Sequence, residues 1–315
     1  MVEPIVPEPG EPHAPRAGLG YAMVAVAATL FAVNGTVAKV ILGAGISSQR
    51  LTEIRCTGAL LGLALILLAT RPSAFAVSAR ELPLLVLLGI GGLALVQWSY
   101  FFAIHRVAIG IALLVQYVAP ILVALYARFV LDERVRRRIW LALALSLAGL
   151  VLIVEVWREH LPNGAGLAAA GLAAVSYALY ILVAERGVSR RDPISLSCYG
   201  FLFAALFWAV LEPWWSFPGH RVGESVSLLG HLSGTQVPAW GLMIWMVVLG
   251  TIVPFALVVG ALRHISATRA GIVAMLEPVV AIVVAWAWLG ESLAGAQIAG
   301  AALTLGGIVL AQTAR

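Results

Sequence analysis

The sequence predicts an all-α integral membrane protein in which ten transmembrane helices form two inverted-topology five-helix repeats around a central cavity. Three observations support this prediction. Of the 315 residues, 62% are hydrophobic and only 11% are charged, whereas soluble proteins carry about 25% charged residues. The apolar residues are gathered into ten runs that are each long enough to cross a bilayer. The second half of the chain also repeats the first.

Ten apolar runs make up most of the chain, and turn formers or charged residues separate them. A membrane helix needs about 20 mostly apolar residues to cross a hydrocarbon core of about 30 Å. Many of the runs have no polar face, which suits contact with lipid on one side and with other helices on the other. The runs cover residues 19–42, 48–70, 82–104, 107–131, 138–157, 165–185, 193–212, 238–262, 268–290 and 293–312.

The distribution of basic residues predicts how the chain is oriented. Ten crossings place both ends of the chain on the same side of the membrane. If that side is cytoplasmic, the inside segments carry 14 Lys and Arg residues and the outside segments carry five, as the positive-inside rule requires. We therefore expect a multi-pass protein of the plasma membrane with both termini in the cytoplasm.

The internal repeat becomes visible when the chain is shifted by 158 residues. Residues 107–154 then lie on residues 265–312 without a gap, and Pro120 matches Pro278. A looser match at an offset of 146 pairs the first apolar run with the sixth. The ten predicted helices are therefore two copies of five.

Because five is odd, the second copy must cross the membrane in the opposite sense to the first. The loop that follows Glu133 is basic, whereas the matching loop after Glu291 has no basic residue. Inverted repeats are typical of secondary transporters, whose site lies between the copies near the midplane. The predicted organisation is a disordered, acidic and proline-rich cytoplasmic tail (1–17), a first repeat (18–158) and a second repeat (164–315).

Short motifs in both copies resemble the EamA-type branch of the drug/metabolite transporter superfamily. The motifs are Gln116-Tyr117-Val118-Ala119-Pro120 and Leu131-Asp132-Glu133-Arg134 in the first copy, and Leu276-Glu277-Pro278 and Leu289-Gly290-Glu291 in the second. Arg55 resembles an arginine common in that family, and Asp132 stands where glycine is usual. The resemblance implies a basket of ten helices around a central cavity and the movement of small metabolites, often outward.

Glu277 is the first candidate for the site because it lies deep in the ninth run, opposite Ala119 in the other copy. A charge at the bilayer centre costs about 2.5–3.5 kcal/mol, so it needs a partner, a water-filled cavity or a proton. It is either a protonatable or amine-binding residue of the cavity or a structural carboxylate held by backbone groups near Pro278. Pro120 and Pro278 predict symmetric kinks, which can also serve as hinges.

Other candidates for the substrate site are polar or aromatic residues at membrane depth. Gln116 is either a cavity residue or a helix–helix hydrogen-bonding group. Tyr177 and Tyr180 share one helix face, where they either line the cavity or serve only in packing. The remaining candidates are Asn34, Arg55, Gln97 and Tyr117.

Arg55 lies about two turns below the predicted outer surface and allows two interpretations. It either snorkels towards the interface, or it serves as a cationic contact for an anionic substrate group or as a gate. Glu53 points away from Arg55, whereas Arg50 and Glu53 can pair because they are three residues apart.

A transporter is the function that these features favour. The chain has no phosphate-binding P-loop, so transport must be facilitated, exchanged or coupled to an ion gradient. Few charges lie at membrane depth, which favours small neutral or zwitterionic metabolites such as amino acids over multiply charged ones. We expect a monomeric or homodimeric exporter that works by alternating access, with a proton as a candidate coupling ion.

Several other functions and partners are less well supported. The sequence has no zinc-protease or serine-hydrolase motif, which argues against an intramembrane enzyme. A lipid flippase or a channel-like facilitator remains an alternative. We expect no cofactor, no metal ion and no nucleic-acid partner, since the basic residues are dispersed between apolar runs.

Overall fold

The computed structural model of the chain describes residues 16–104, 106–107, 109–158 and 163–313. Ten helices within these residues are long and apolar enough to span a membrane, which confirms the ten predicted crossings. They are α1 (Ala17–Gly43), α2 (Ser48–Thr70), α3 (Leu82–Ile104), α4 (Gly110–Phe129), α5 (Arg137–Val154), α6 (Gly164–Val188), α7 (Pro193–Leu211), α8 (Ala239–Ala261), α9 (Ala267–Leu289) and α10 (Gly295–Thr313). The predicted tail lies outside the described residues up to residue 15, and α1 already begins at Ala17.

The connections between the helices lie alternately at two faces of the bundle. The backbone amide of Arg16 donates to His264 Nδ1 at 3.4 Å, so the start of α1 lies beside the α8–α9 connection. We call this face the terminal face, and the opposite one the distal face. The terminal face holds residues 71–81, 130–136, 189–192 and 262–266, and the distal face holds residues 44–47, 212–238 and 290–294.

The helices α5 and α10, which match under the offset of 158, pack tightly in opposite directions. Gly149 lies against Thr304, and Ser146 lies against Gly307. Under the offset of 158, Gly149 corresponds to Gly307 and Ser146 corresponds to Thr304. The two contacts are therefore equivalent, with the roles of α5 and α10 exchanged. Glycine at both positions lets the two backbones approach closely. A two-fold axis between inverted copies predicts this arrangement.

Contacts of the same kind join α3 to α6 and α8 to α1. A Cβ atom added at Gly92 would lie 3.0 Å from Tyr180 Cβ, and one added at Gly250 would overlap Asn34. The two glycines are 158 residues apart, and both lie in π-helical turns, which often occur at functional sites. The π-helical stretches are Leu87–Ala94 in α3, Val248–Ile252 in α8 and Ala285–Leu289 in α9.

Both α4 and α9 are interrupted just before a proline. The break falls at Tyr117 and Val118 in α4 and at Met275 in α9, and the following segments begin with Pro120 and Pro278 within their first turns. Proline fixes φ and has no N–H to donate, so it suits the start of a helix better than its interior. The resulting segments are Ile109–Gln116 and Ala119–Phe129 in α4, and Ala267–Ala274 and Leu276–Val284 in α9.

The turns that follow α4 and α9 share a left-handed backbone conformation. Asp132 has a φ of 53° and Gly290, 158 residues later, has a φ of 75°. Aspartate is among the few non-glycine residues that adopt this region readily, and Asp132 also accepts a hydrogen bond from Arg128 at 3.3 Å. Asp132, which stands where glycine is usual in the family, therefore keeps the left-handed conformation of this turn.

The connection between α7 and α8 contains a β-hairpin that the sequence analysis did not predict. Its strands, β1 (Ser225–Ser227) and β2 (Gln236–Pro238), are antiparallel. Trp288 Nε1 of α9 donates to Leu228 O at 2.8 Å, which ties the hairpin to the distal end of α9. Short 3₁₀ turns occupy Pro72–Phe75, Val156–Arg158, Trp214–Ser216, Gly219–Gly223 and Gly230–Leu232.

Ion pairs join α2 to α7 at both faces of the bundle. At the terminal face, Arg71 Nη1 lies 2.7 Å from Asp192 Oδ1. At the distal face, Arg50 contacts Glu53 at 2.6 Å and Glu212 at 3.2 Å, which confirms the predicted pairing of Arg50 with Glu53. These two helices are thus linked at each end.

Arg191 forms a second link at the terminal face, between the α2–α3 and α6–α7 connections. Its guanidinium donates to Ala74 O at 2.9 Å, to Ala76 O at 2.7 Å and to Glu81 Oε2 at 2.6 Å. The hydrogen bond from Arg191, aided by one from the Ser78 amide, holds the pKa of the Glu81 carboxyl below its ordinary value.

Candidate functional site

The interruptions of α4 and α9 lie next to each other and bring Tyr117 and Glu277 into contact. Tyr117 Oη donates to Glu277 Oε2 at 2.6 Å, a length typical of a hydrogen bond to a charged acceptor. The bond joins the two halves of the chain. The Glu277 carboxylate therefore bonds to a side chain of the other half rather than to backbone groups near Pro278.

Glu277 is the eleventh of the 23 residues of α9, so it lies near the middle of the span. Tyr117 is 2% exposed, whereas Glu277 is only partly buried. Glu277 Oε1 has no hydrogen-bond partner among the residues that the structure describes. Because a carboxylate that faces lipid at this depth is costly, the accessible side of Glu277 indicates an internal polar space.

Aromatic rings from several helices surround this region. Tyr177 stacks on Tyr180 with ring centroids 6.3 Å apart, and Tyr117 meets the edge of Tyr177 at 6.5 Å. Phe255 of α8 extends the row, 5.6 Å from Tyr180 and 5.2 Å from Phe31. The rings of Tyr177, Phe255 and Phe31 remain partly exposed, so this row can form an apolar wall beside Glu277.

Arg55 supplies a buried positive charge on α2. It is 9% exposed, and its Nε donates to Thr251 Oγ1 at 3.0 Å while Nη2 donates to Gly250 O at 3.2 Å. Arg55 therefore turns inward to α8 rather than snorkelling to the distal face. Its Nη1 has no hydrogen-bond partner in the described part of the chain.

Glu277 and Arg55 do not hydrogen-bond to each other in the described structure. They come from different halves, since Arg55 lies on α2 and Glu277 on α9. A carboxylate and a guanidinium thus lie at membrane depth in different halves of the chain, each with one atom that has no hydrogen-bond partner among the described residues.

Four of the predicted polar residues contain buried atoms that have no hydrogen-bond partner within the described ranges. They are Asn34 Oδ1, Gln97 Oε1, Gln116 Oε1 and Tyr180 Oη. Gln97 uses its amide nitrogen to bond Leu93 O at 3.1 Å and to approach Cys56 Sγ at 3.5 Å. Buried polar groups are nearly always satisfied by protein or water, so these four favour a wetted or ligand-binding interior.

The sequence analysis missed three contributors to this site, namely Thr251, Gly250 and Phe255. Gly250 and Thr251 have no charge and lie in an apolar run, so composition gave no signal for them. Phe255 is an apolar residue in an apolar run, and the sequence does not distinguish it from residues that serve only in packing. The offset of 158 places Gly250 on Gly92, which is the one signal that could have marked it.

The contacts of α4 and α9 differ between the two faces. On the terminal side, Ala119–Phe129 packs against Ala267–Ala274, and a Cβ atom on Gly271 would lie 3.2 Å from Pro120. On the distal side, Ile109–Gln116 packs chiefly against α6 and Leu276–Val284 chiefly against α1. The two helices thus meet at the terminal side and diverge towards the distal side.

Ten apolar spans with polar and charged groups held between them define a polytopic membrane protein. The chain belongs to the EamA-like transporter family, whose sequence model matches residues 18–155 and 164–313. This confirms the predicted family and the ten-span, all-α architecture.

Several proteins with similar sequences are named as transporters or exporters. The threonine/homoserine exporter RhtA of Escherichia coli (strain K12) is 28% identical over 235 residues, which are 74% of this chain and 70% of that protein. The pseudopaline exporter CntI of Pseudomonas aeruginosa (strain UCBPP-PA14) is 28% identical over 157 residues, which are 50% and 54% of the two chains. An uncharacterized transporter of Archaeoglobus fulgidus is 28% identical over 213 residues, 68% of this chain and 70% of its own.

A solved crystal structure shares the fold over nearly the whole chain. It superposes with a TM-score of 0.73 at 20% sequence identity and covers 94% of this chain and 95% of its own. At this identity the likeness bears on the fold alone.

Proposed function

We propose that this transporter exports small zwitterionic metabolites, amino acids among them, by alternating access. The observation that carries the proposal is that Arg55 and Glu277 lie at membrane depth in different halves of the chain, each with a hydrogen-bonding atom that no described residue occupies. We infer that both face one interior space. An amino acid carries a carboxylate and an ammonium group, which complement a guanidinium and a carboxylate respectively. Its side chain would lie along the wall of Tyr177, Tyr180 and Phe255.

The charge count supports a zwitterion over an ion of either sign. A substrate with a single net charge would leave Arg55 or Glu277 without a partner in a region of low dielectric, which is costly. A zwitterion satisfies both groups at once and adds no net charge to the interior. The names of the relatives agree, since one is a threonine/homoserine exporter.

Two further features support alternating access. The contact of Pro120 with Gly271 holds α4 and α9 together on the terminal side, whereas the two helices diverge on the distal side. If the two repeats exchange roles, Leu113 takes the place of Gly271 and Pro278 that of Pro120, since each pair is 158 residues apart. The opposite state then closes the distal side through Leu113 and Pro278 and opens the terminal side.

Orientation and coupling are part of the same proposal. The excess of basic residues at the terminal face supports a cytoplasmic position of this face in a plasma-membrane protein, and α4 and α9 would then diverge towards the outside. Glu277 is the group that a coupling proton would use, because a substrate ammonium and a proton would compete for one carboxylate. The chain is proposed to act as a monomer or a homodimer.

Counterflow in proteoliposomes tests the proposed function. Vesicles preloaded with unlabelled amino acid should take up the labelled amino acid faster than empty vesicles, and uptake should saturate. A channel would give neither trans-stimulation nor saturation, and a lipid flippase would instead move labelled phospholipid. Glu277→Gln should fold normally and lose most of the proton-gradient dependence of uptake. A well-folded variant that transports and couples normally would remove Glu277 from the mechanism.

A further inference from the structure

A cavity of about 500 Å³ lies at the distal ends of α2, α3 and α7, and none of the described residues that line it belongs to α4 or α9. It is lined by the first turn of α2, by the end of α3 with the residues that follow, and by the last turns of α7. Its volume is within the range of pockets that bind small molecules, about 300–1,000 Å³. We call it the α2–α3–α7 cavity.

Part of the cavity wall is a stripe in which residues recur at every fourth position along α3 and just beyond its end. The rings of Trp98 and Phe102 have centroids 5.5 Å apart, and the Arg106 guanidinium lies 3.5 Å from the centroid of the Phe102 ring. Arg106 Nη1 also donates to Phe102 O at 3.2 Å. These contacts hold the guanidinium in place, while its Nε and Nη2 have no hydrogen-bond partner among the described residues.

The other two helices contribute further nitrogen donors to the cavity. Trp208 of α7 is 1% exposed, yet its Nε1 has no hydrogen-bond partner in the described part of the chain. A buried indole N–H usually finds a partner, so this one lacks an acceptor. On α2, Ser48 Oγ donates to Gln49 Oε1 at 3.2 Å, which leaves the amide nitrogen of Gln49 to donate.

The charge of the cavity is positive and has no counter-charge within it. No acidic side chain is among the described residues that line it. Glu53 and Glu212 lie one turn from the cavity on α2 and α7, and Arg50 pairs with both of them. The start of α2 at Ser48 adds the positive end of a helix dipole. The cavity therefore suits an anionic group that can accept several hydrogen bonds.

The position of the cavity indicates where such an anion comes from. It lies where α2 begins at Ser48 and where α3 ends at Ile104, which is the level at which the spans leave the hydrocarbon core. Tryptophans are enriched at this level, and basic pockets between membrane helices bind anionic lipid headgroups. The anion that a membrane supplies at this depth is the phosphate of a phospholipid.

We propose that the α2–α3–α7 cavity binds the headgroup of an anionic phospholipid, such as phosphatidylglycerol, from the leaflet at the distal face. The phosphate oxygens accept hydrogen bonds from Arg106, from Trp208 Nε1 and from the Gln49 amide, and the glycerol lies against Trp98. A choline headgroup is disfavoured because its ammonium finds no carboxylate. The face of Phe102, which could hold a cation, is already covered by Arg106.

Photo-crosslinking with a lipid probe tests this proposal without any measurement of transport. The full chain is held in phosphatidylcholine nanodiscs that contain a small fraction of phosphatidylglycerol with a diazirine in its headgroup, so that the adduct yield follows affinity. Adducts mapped by mass spectrometry should fall within residues 48–53, 98–106 and 204–212. Unlabelled phosphatidylglycerol in excess should remove them, whereas additional phosphatidylcholine should not.

Matched variants decide whether the residues of the cavity recognise the headgroup. Arg106→Gln should lower the adduct yield at these residues about tenfold, the factor that a hydrogen bond to a charged group contributes at the lower end of its range. Trp208→Phe keeps a ring but removes the N–H, and should lower the yield about threefold. The control is Arg221→Gln, which removes an arginine of the same face that does not line the cavity, and its yield should equal that of the wild type.

Thermal unfolding gives a second measurement of the same binding. Phosphatidylglycerol added to the protein in detergent should raise the unfolding temperature of the wild type and of Arg221→Gln, because a ligand stabilises the state that binds it. The rise should be smaller for Arg106→Gln. This exposed residue can be changed without loss of packing, so it decides the matter if Trp208→Phe fails to fold.

Four results would overturn the proposal. Adducts that avoid the cavity residues would mean that no headgroup binds there, and equal losses in Arg106→Gln and Arg221→Gln would assign the effect to general surface charge. Equal competition by phosphatidylcholine would mean that the anionic headgroup is not recognised. Removal of the adducts by millimolar glycerol 3-phosphate would assign the cavity to a soluble anion instead of a lipid.

Discussion

The hydrogen bond between Tyr117 and Glu277 gives the sharpest test of the site. Tyr117→Phe removes only the hydroxyl that donates to Glu277 Oε2 at 2.6 Å. Interhelical hydrogen bonds in membranes contribute about 0.6 kcal/mol on average and about 1.7 kcal/mol at most. Because this bond is short and its acceptor is a carboxylate, we expect it near the upper end. It should therefore couple the two residues by more than about 1 kcal/mol.

A double-mutant cycle isolates this coupling from other effects of each change. The free energy of unfolding would be measured for the wild type, Tyr117→Phe, Glu277→Gln and the double variant in one detergent. Tyr177→Phe with Glu277→Gln is the matched cycle, because Tyr177 loses the same hydroxyl without a hydrogen bond to Glu277. Additive effects in the first cycle, or equal coupling in both, would refute the argument that this bond joins α4 to α9.

Three further changes test the surrounding structure by thermal unfolding. Gly250→Ala should destabilise the protein by about 1–3 kcal/mol through overlap with Asn34, and Asn34→Ala in the same chain should restore part of the loss; no loss would contradict the close approach. Asp132→Gly should stabilise it by up to about 1 kcal/mol because glycine adopts a positive φ freely, and a loss would refute this reading. Since the folded-state pKa of Glu81 is lowered beside Arg191, this pair should contribute stability above the ordinary carboxyl value of 4.5 and lose it as the pH falls through the lowered pKa. Glu81→Gln should abolish this dependence, which an unchanged acid limb would contradict.

Much of the fold could be predicted from the sequence because the bilayer imposes strong constraints. Each span must be apolar and about 20 residues long, so the ten runs could be read directly. The offset of 158 also matched Gly149 with Gly307, and these glycines form equivalent contacts in the structure. The β-hairpin between α7 and α8 could not be predicted, because its strands are only three residues long and have no clear alternation.

The site was predictable only where a residue was conspicuous for its depth. Glu277 and Arg55 stood out because charges are rare in a span. Tertiary packing decides which groups contact these two charges. Tyr117 was a candidate, but its pairing with Glu277 was not predicted, and no feature of the sequence marked Thr251. The inward turn of Arg55 depends on the backbone oxygen that Gly250 presents in a π-helical stretch of α8, and no residue pattern announces such a turn.

The most direct test of a zwitterion held between Arg55 and Glu277 is counterflow with analogues that lack one charge. An N-acetyl amino acid has no ammonium group, and an amino acid methyl ester has no carboxylate. The wild type should discriminate against both. Glu277→Gln should lose discrimination against the N-acetyl analogue only, and Arg55→Gln should lose it against the ester only. If each variant keeps the wild-type ratio for both analogues, the two charges do not hold the substrate.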